Sequence, residues 1–374
     1  KAADVASDKK NDYYFNKGYA LFVSKRFNQS ETYFRKVEEI PEYQFDASYY
    51  LGYIAYQLND YDLAGEKFNK VTVIQNDTTV GYFQADMNFN LGRFEQAIAI
   101  ARTSIKVANE KKTSELSKII GESYFNLNDY YSALPYLEVY KGKKGKWSNT
   151  DFYQLGYTHY RLGEYEKAIN QFNKIISGKN AIAQNAYYHL ADCYLKMKKK
   201  TQALNAFKSA ASLKYDSVIS EDASLNYARL SYEIGNAFKN PSLLLATFVD
   251  KYPNNKAVSE IEGLLIDSYV NSRNFNAAIK ILNKKSGSQY DNALQKVNYL
   301  KAIALYQSGL YDDAIEFFNE SLKKNKDKTI EANCLYWSAL AKYELNDFQG
   351  AISDLNIFNS HPFAMQVTGY DNLK

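Results

Sequence analysis

The side chains that could attack a carbonyl, ligate a metal or shuttle a proton are few and dispersed in this chain. Cys193 and Cys334 are the only cysteines, so neither a disulfide framework nor a thiolate-rich zinc site can be built. His159, His189 and His361 are scattered, and none falls in an HExxH pattern. Both thiols read as buried, and His159 reads as a satisfied core histidine. Acidic pairs such as Asp312/Asp313 and Glu38/Glu39 fall on expected polar faces. There is no GxSxG, no GxxxxGK[ST] and no GxGxxG, and Gly142-Lys143-Lys144-Gly145-Lys146 has the wrong spacing to cradle a phosphate. The expectation is therefore no enzyme, no catalytic residue, no metal and no cofactor.

Aromatic surface is abundant instead. Tyr 35, Phe 21 and Trp 2 make the chain 16% aromatic, and tyrosine suits recognition because it offers flat apolar area plus a hydroxyl at low entropic cost. Lys+Arg 46 against Asp+Glu 42 leaves +4, too small an excess to imply nucleic acid or an anionic membrane. The lysine clusters Lys141/Lys143/Lys144/Lys146, Lys196/Lys198/Lys199/Lys200 and Lys323/Lys324/Lys326/Lys328 fall mainly in turns, where solvated lysine is ordinary, so no nucleic-acid partner is expected. No apolar run approaches the roughly 20 residues of a spanning helix.

The elements that must carry these tyrosines are helices. At 374 residues the chain exceeds what one core usually organises, and 46% hydrophobic with 24% charged residues is ordinary for a folded protein. Gly 17 and Pro 5 are too few for turn-dense β architecture. A small residue, an aromatic nine positions on, alanine at twelve and a large apolar residue at sixteen recur almost throughout. Instances include Gly18/Phe27/Ser30/Phe34, Gly52/Tyr61/Ala64/Phe68, Gly121/Tyr130/Ala133/Leu137, Gly156/Tyr165/Ala168/Phe172, Ala302/Tyr311/Ala314/Phe318 and Ala339/Phe348/Ala351/Leu355. The alanine positions step by 34, 33, 36, 35 and 35 from Ser30 to Ala203, then by 36 and 37 from Ala278 to Ala351. A period near 34 means stacked helical hairpins, in which small residues on two helices let them approach closely. Turns such as Leu58-Asn59-Asp60-Tyr61 and Leu162-Gly163-Glu164-Tyr165 place Asn or Gly where a helix ends left-handed.

This set of offsets resembles the tetratricopeptide repeat (TPR) family, over roughly residues 12 to 358. The resemblance implies an all-α, right-handed superhelix (solenoid) of about ten TPR helical hairpins, with the first helix of each lining a concave face. Expected divisions are a polar N-terminal tail (1–11), repeats 1–6 (12–212), an irregular repeat 7 (213–256), repeats 8–10 (257–358), and the start of a further, truncated helix (359–374). In the irregular repeat Ala228 and Gly235 fit a first helix, Asn240-Pro241 interrupts the turn, and Phe248-Val249-Asp250-Lys251-Tyr252-Pro253 closes a displaced second helix. That last segment resembles the TPR variant of bacterial envelope proteins, such as the outer-membrane assembly lipoprotein and the TolA-binding protein. Together with a polar start lacking methionine, it points the expected localisation to the periplasm or outer-membrane envelope, with an upstream region removed.

What the family implies for function is a scaffold holding a peptide or a partner's helix in the concave groove. Positions three before, one after and four after the small residue share one face of the first helix. They supply the candidate contacts Tyr19, Tyr49, Tyr53, Tyr56, Tyr82, Tyr153, Tyr157, Tyr160, Tyr188, Tyr299 and Tyr336. These rows can equally pack between repeats. The triplets Tyr49/Tyr53/Tyr56 and Tyr153/Tyr157/Tyr160 are expected to be exposed, because three tyrosines on one side cannot easily all be core. Asp86, Glu122, Asp192 and Asp267 follow the small residues, and Lys118 alone matches the carboxylate-clamp subset of TPR domains, so a basic partner is favoured over a terminal carboxylate. The rival readings are a glycan-binding envelope protein using the same aromatics and a regulatory module of a longer chain.

Overall fold

In a computed structural model, residues 2–75, 80–285 and 287–367 are described, and they hold twenty α-helices and no strand. The chain divides into two compact units, Lys1–Lys199 and Lys200–Lys374. In the first, antiparallel hairpins pair α1 (Ala2–Val23) with α2 (Phe27–Phe34) and α3 (Gln44–Gln57) with α4 (Tyr61–Gln75). Then come α5 (Gly81–Asn90) with α6 (Phe94–Ser104), α7 (Glu110–Asn126) with α8 (Tyr130–Val139), α9 (Asn149–Arg161) with α10 (Tyr165–Phe172), and α11 (Ala181–Lys196). The second unit begins with α12 (Lys200–Ser212) and pairs α13 (Ser217–Ile234) with α14 (Pro241–Lys251) and α15 (Val258–Asn271) with α16 (Phe275–Leu282). It continues with α17 (Ser288–Gln307) against α18 (Tyr311–Lys324) and α19 (Lys328–Glu344) against α20 (Phe348–Asn359).

Where glycine holds the small position, the hairpin closes on it. A Cβ added at Gly52 would meet the Phe68 ring at 2.8 Å, one at Gly121 would meet Leu137 at 2.8 Å, and one at Gly156 would meet Phe172 at 2.9 Å. The large apolar residue sixteen positions on is thus laid directly against the first helix. The alanine twelve on is fully buried at Ala64, Ala97, Ala133, Ala168, Ala203, Ala278 and Ala314, and where Ser30 replaces it the hydroxyl donates to the Gly18 carbonyl at 2.8 Å. Burying the phenyl of a residue such as Phe68 contributes on the order of 2 kcal/mol.

The turns share one hydrogen-bond pattern. Asp60 N–H donates to the Ala55 carbonyl (2.9 Å) and Asn59 N–H to that of Tyr56 (3.1 Å), the two bonds of a Schellman ending. Arg93, Asp129, Glu164, Lys199, Asn274, Leu310 and Asp347 repeat the first of these bonds. Asn59, Asn128, Asn346, Gly92, Gly163 and Gly309 take the left-handed residue as expected, but Lys25 (φ 58°), Lys198 (φ 60°) and Arg273 (φ 57°) take it too. The bonding pattern there outweighs the roughly 1–2 kcal/mol that a side chain costs in this conformation.

Three expectations need correction. Residues 2–11 are not a tail but the first turns of α1, and Tyr43 Oη donates to Asp12 Oδ1 at 2.7 Å, tying that helix to the start of α3. Gly235 is not inside a first helix; it ends α13 at φ +78°, and Pro241 does not break a turn but opens α14 behind an Asn240 cap, where a missing N–H is tolerated. Past α20 the chain forms a short 3₁₀ turn, Ala364–Gln366, whose Ala364 and Val367 are buried beside Tyr336 and Phe358. The expected helix opening at Gly369–Lys374 lies outside the described residues.

Gly52→Val should destabilise the chain by about 3 kcal/mol, because Phe68 has packed neighbours on its other face and must be displaced. Urea unfolding would measure it, and a loss below about 0.5 kcal/mol would mean the hairpins tolerate a wider spacing than this contact implies.

Candidate functional site

The tyrosine rows of the first unit lie along α1, α3, α5, α9 and α11, each helix presenting the same face because the offsets from its small residue are fixed. Tyr19 is exposed at 44%, while Tyr49, Tyr53, Tyr56, Tyr82, Tyr153, Tyr157, Tyr160 and Tyr188 are half-buried. Tyr299 in the second unit is also half-buried, its ring 6.4 Å from Phe318 and its hydroxyl a long 3.5 Å from Asn333 Oδ1. Tyr336 departs from the expectation: at 5% exposure it is core, wedged against Trp337 and Phe358, so it is not a contact residue.

The two triplets are likewise not freely exposed. Tyr53 sits edge-on between Phe22 (5.3 Å) and Phe83 (5.4 Å), and Tyr157 meets Phe125 (5.7 Å), Tyr130 (5.8 Å) and His189 (4.9 Å). Their seam position follows from geometry, since a face shared by consecutive first helices is also where those helices meet. Tyr157 Oη accepts from Arg161 Nη1 at 3.2 Å. Tyr56 Oη donates to Asp86 Oδ2 and Tyr160 Oη to Asp192 Oδ2, both at 2.6 Å. In each pair the tyrosine four after one small residue meets the acid one after the next. Burial first and the bonded carboxylate second push both phenols well above the ordinary tyrosine range, so both stay protonated donors. Lys118 is spent in the same way, bonding Asp151 at 2.6 Å and lying 3.7 Å from Glu122, with its ammonium 4.8 Å from the Tyr140 ring centre. Burial raises the Glu122 carboxyl, against the pull of Lys118.

A residue the sequence does not mark, two before the small residue, plugs the seam at three places. Tyr50 stacks on Phe34 (5.0 Å, 13°), Phe83 on Phe68 (5.5 Å, 15°) and His189 on Phe172 (6.1 Å, 25°). Each lies on the very ring that its preceding hairpin presses against its glycine. His189 is the odd member, boxed by Tyr153, Tyr157, Tyr160 and Tyr188, with a buried Nδ1 that has no hydrogen-bond partner. His159 is satisfied as expected, 2% exposed with Nδ1 2.6 Å from Glu164.

Residues 15–77 and 264–329 match the family model described as tetratricopeptide repeat. Residues 139–210 match a second model, anaphase-promoting complex, cyclosome, subunit 3. Among curated proteins the chain is similar to response regulator aspartate phosphatase E of Bacillus subtilis (strain 168), 23% identical over 54% of this chain. It is also similar to a TPR repeat-containing protein of Methanocaldococcus jannaschii, 31% identical over 34% of this chain. The chain spans 51% of the first relative's length and 22% of the second's. Solved structures it resembles include the C-terminal part of a TPR protein of Cytophaga hutchinsonii, with 18% identity and TM-score 0.48 over 66% of this chain and 98% of that one. Another is YrrB, described as a TPR protein with an unusual peptide-binding site, with 16% identity and TM-score 0.44 over 51% of this chain and 97% of that one. No described helix is long and apolar enough to cross a membrane.

Two outcomes follow from the seams between these helical hairpins. Tyr160→Phe leaves Asp192 without its donor and should cost about 1–2 kcal/mol in chemical denaturation; no loss would mean that water replaces the hydroxyl freely. Burial holds His189 down at about 4 against an ordinary 6.5, with nearby Asp192 opposing the shift and Arg161 adding to it. As pH falls from 6.5 toward 4 the unfolded chain takes up a proton that the folded chain refuses, so stability is full above that window and declines within it, by about 3 kcal/mol at most. His189→Phe, which copies Phe83, should flatten this decline in thermal unfolding followed by circular dichroism. Equal pH slopes in the two proteins would remove His189 as its source.

Proposed function

We propose that this chain is a non-enzymatic interaction scaffold whose tyrosine-lined face in the first unit holds a peptide or a partner's helix. The observation that carries the reading is the pairing of Tyr56 with Asp86 and of Tyr160 with Asp192. These bonds fix ring positions before any partner arrives, which lowers the entropic cost of binding. Around them the half-buried rings of Tyr49, Tyr53, Tyr82, Tyr153 and Tyr188, together with exposed Tyr19, leave amphipathic area along one row of helices. Asp86, Glu122 and Asp192 border the same row, so the partner segment carries basic rather than acidic side chains.

The test is photo-crosslinking in the source cells. A benzophenone amino acid is placed in turn at Tyr19, Tyr53 and Tyr188, and at the 83% exposed Tyr131 of second helix α8 as a control. Adducts to one protein from the three row positions, identified by mass spectrometry, are the expected result. Adducts confined to Tyr131 would overturn the assignment of this face.

A further inference from the structure

A cleft of about 690 Å³ lies on a different side of α9 from the tyrosine face. Its floor is Phe152, Leu155 and His159, which at spacings of three and four share a face of α9 that Tyr153, Tyr157 and Tyr160 do not occupy. One wall is the surface of α10 bearing Lys167, Asn170 and Gln171, continued by Lys174 in the turn after the helix. The other wall is the connection from α8 to α9, where Trp147 lies 5.2 Å from Phe152 and spends its indole N–H on the Tyr140 carbonyl. The two rings therefore offer the cleft apolar faces, and the Lys174 ammonium lies 4.8 Å from the Phe152 ring centre.

That connection contributes Gly145 and Trp147 to the lining and carries Lys143, Lys144 and Lys146 next to them in sequence. Lys143 and Lys146 form a β-bridge, and Gly142, Lys144 and Gly145 are all left-handed, at φ +84°, +53° and +76°. A Cβ at Gly142 would meet the Lys146 carbonyl carbon at 2.5 Å and Trp147 Cδ1 at 2.8 Å, so this loop cannot form without glycine there. Lys143, Lys144 and Lys146 are exposed and have no acidic partner among the described residues. Lys174 donates to Gln171, not to a carboxylate. The lining itself holds Lys167, Lys174 and one carboxylate, Glu138; Lys167 shares Glu164 with His159, and the three loop lysines add unpaired positive charge next to Gly145 and Trp147.

We propose that this cleft is a second docking site, for an acidic segment of a partner protein that lays one large apolar side chain against the Trp147 and Phe152 ring pair. The amides of Asn170 and Gln171 line the cleft and can bond the backbone of an extended chain, and Lys174 with the lysines flanking Gly145 supplies the positive charge for its carboxylates. The site is independent of the tyrosine face and prefers the opposite charge, so one chain can hold two chemically different segments.

The test uses the whole chain and fluorescence anisotropy with three labelled probes. They are a short Asp/Glu peptide with one central Trp, the same peptide with Ala for Trp, and the same with Lys for every acid. The Trp probe should bind about tenfold more tightly than the Ala probe and weaken as salt rises, and the Lys probe should not bind. Lys143→Ser/Lys144→Gly/Lys146→Ser, which keeps a residue suited to positive φ at position 144, and separately Lys174→Met should each weaken the Trp probe several-fold with helicity unchanged. The proposal falls if no acidic probe binds, if the Ala probe binds as well as the Trp probe, or if both variants bind like the parent chain. It also falls if a short single-stranded oligonucleotide competes as well as the peptide, since the lysines would then attract polyanions in general.

Discussion

A ring lying on a glycine is the contact from which the rest of this structure follows. Gly18 under Phe34, Gly52 under Phe68 and Gly156 under Phe172 fix how near the two helices of a hairpin come. That spacing puts the alanine or serine twelve residues on into full burial, sets the length of the turn and leaves the outer face of the ring uncovered. The next hairpin covers it with the residue two before its own small residue, as Phe83 does for Phe68. Close approach within a hairpin and stacking between hairpins are therefore one interaction seen from its two sides.

The tyrosine face is a by-product of this geometry as well as a candidate surface. Once Tyr50, Phe83 and His189 occupy the seams, the tyrosines next to them in sequence must line the rims of those seams. Their edges pack inward and what remains faces outward, which accounts for their half-buried state. Pairing a tyrosine with an acid in the following hairpin then turns an aromatic contact into a registered one, since a hydroxyl 2.6 Å from a carboxylate tolerates little sliding.

The hairpins were legible because their rule is steric. Only small residues fit at Gly52 or Ala64, so those columns are mostly Gly and Ala, with exceptions such as Ile266, and stand out at a near-regular period. The seam plug was not legible, because tyrosine, phenylalanine and histidine all fill it and no residue type marks the column. The rows of candidate contacts were found, but not which rings are core: Tyr336 occupies the same column as Tyr49 and differs only in what packs around it, Phe358 and the turn after α20. The turns at Lys25, Lys198 and Arg273 hid for a related reason, since a bonding pattern there imposes a conformation that the residue itself would decline.

Because each ring is capped from the C-terminal side, a hairpin is left unfinished by its own residues. Phe34 waits for Tyr50, Phe68 for Phe83 and Phe172 for His189. On the ribosome, at about 5–20 residues per second, each new hairpin thus carries a bare aromatic patch for on the order of a second before its cover emerges. Synthesis supplies the covers in the order in which the patches need them, so the direction of translation is also the direction in which this array seals itself.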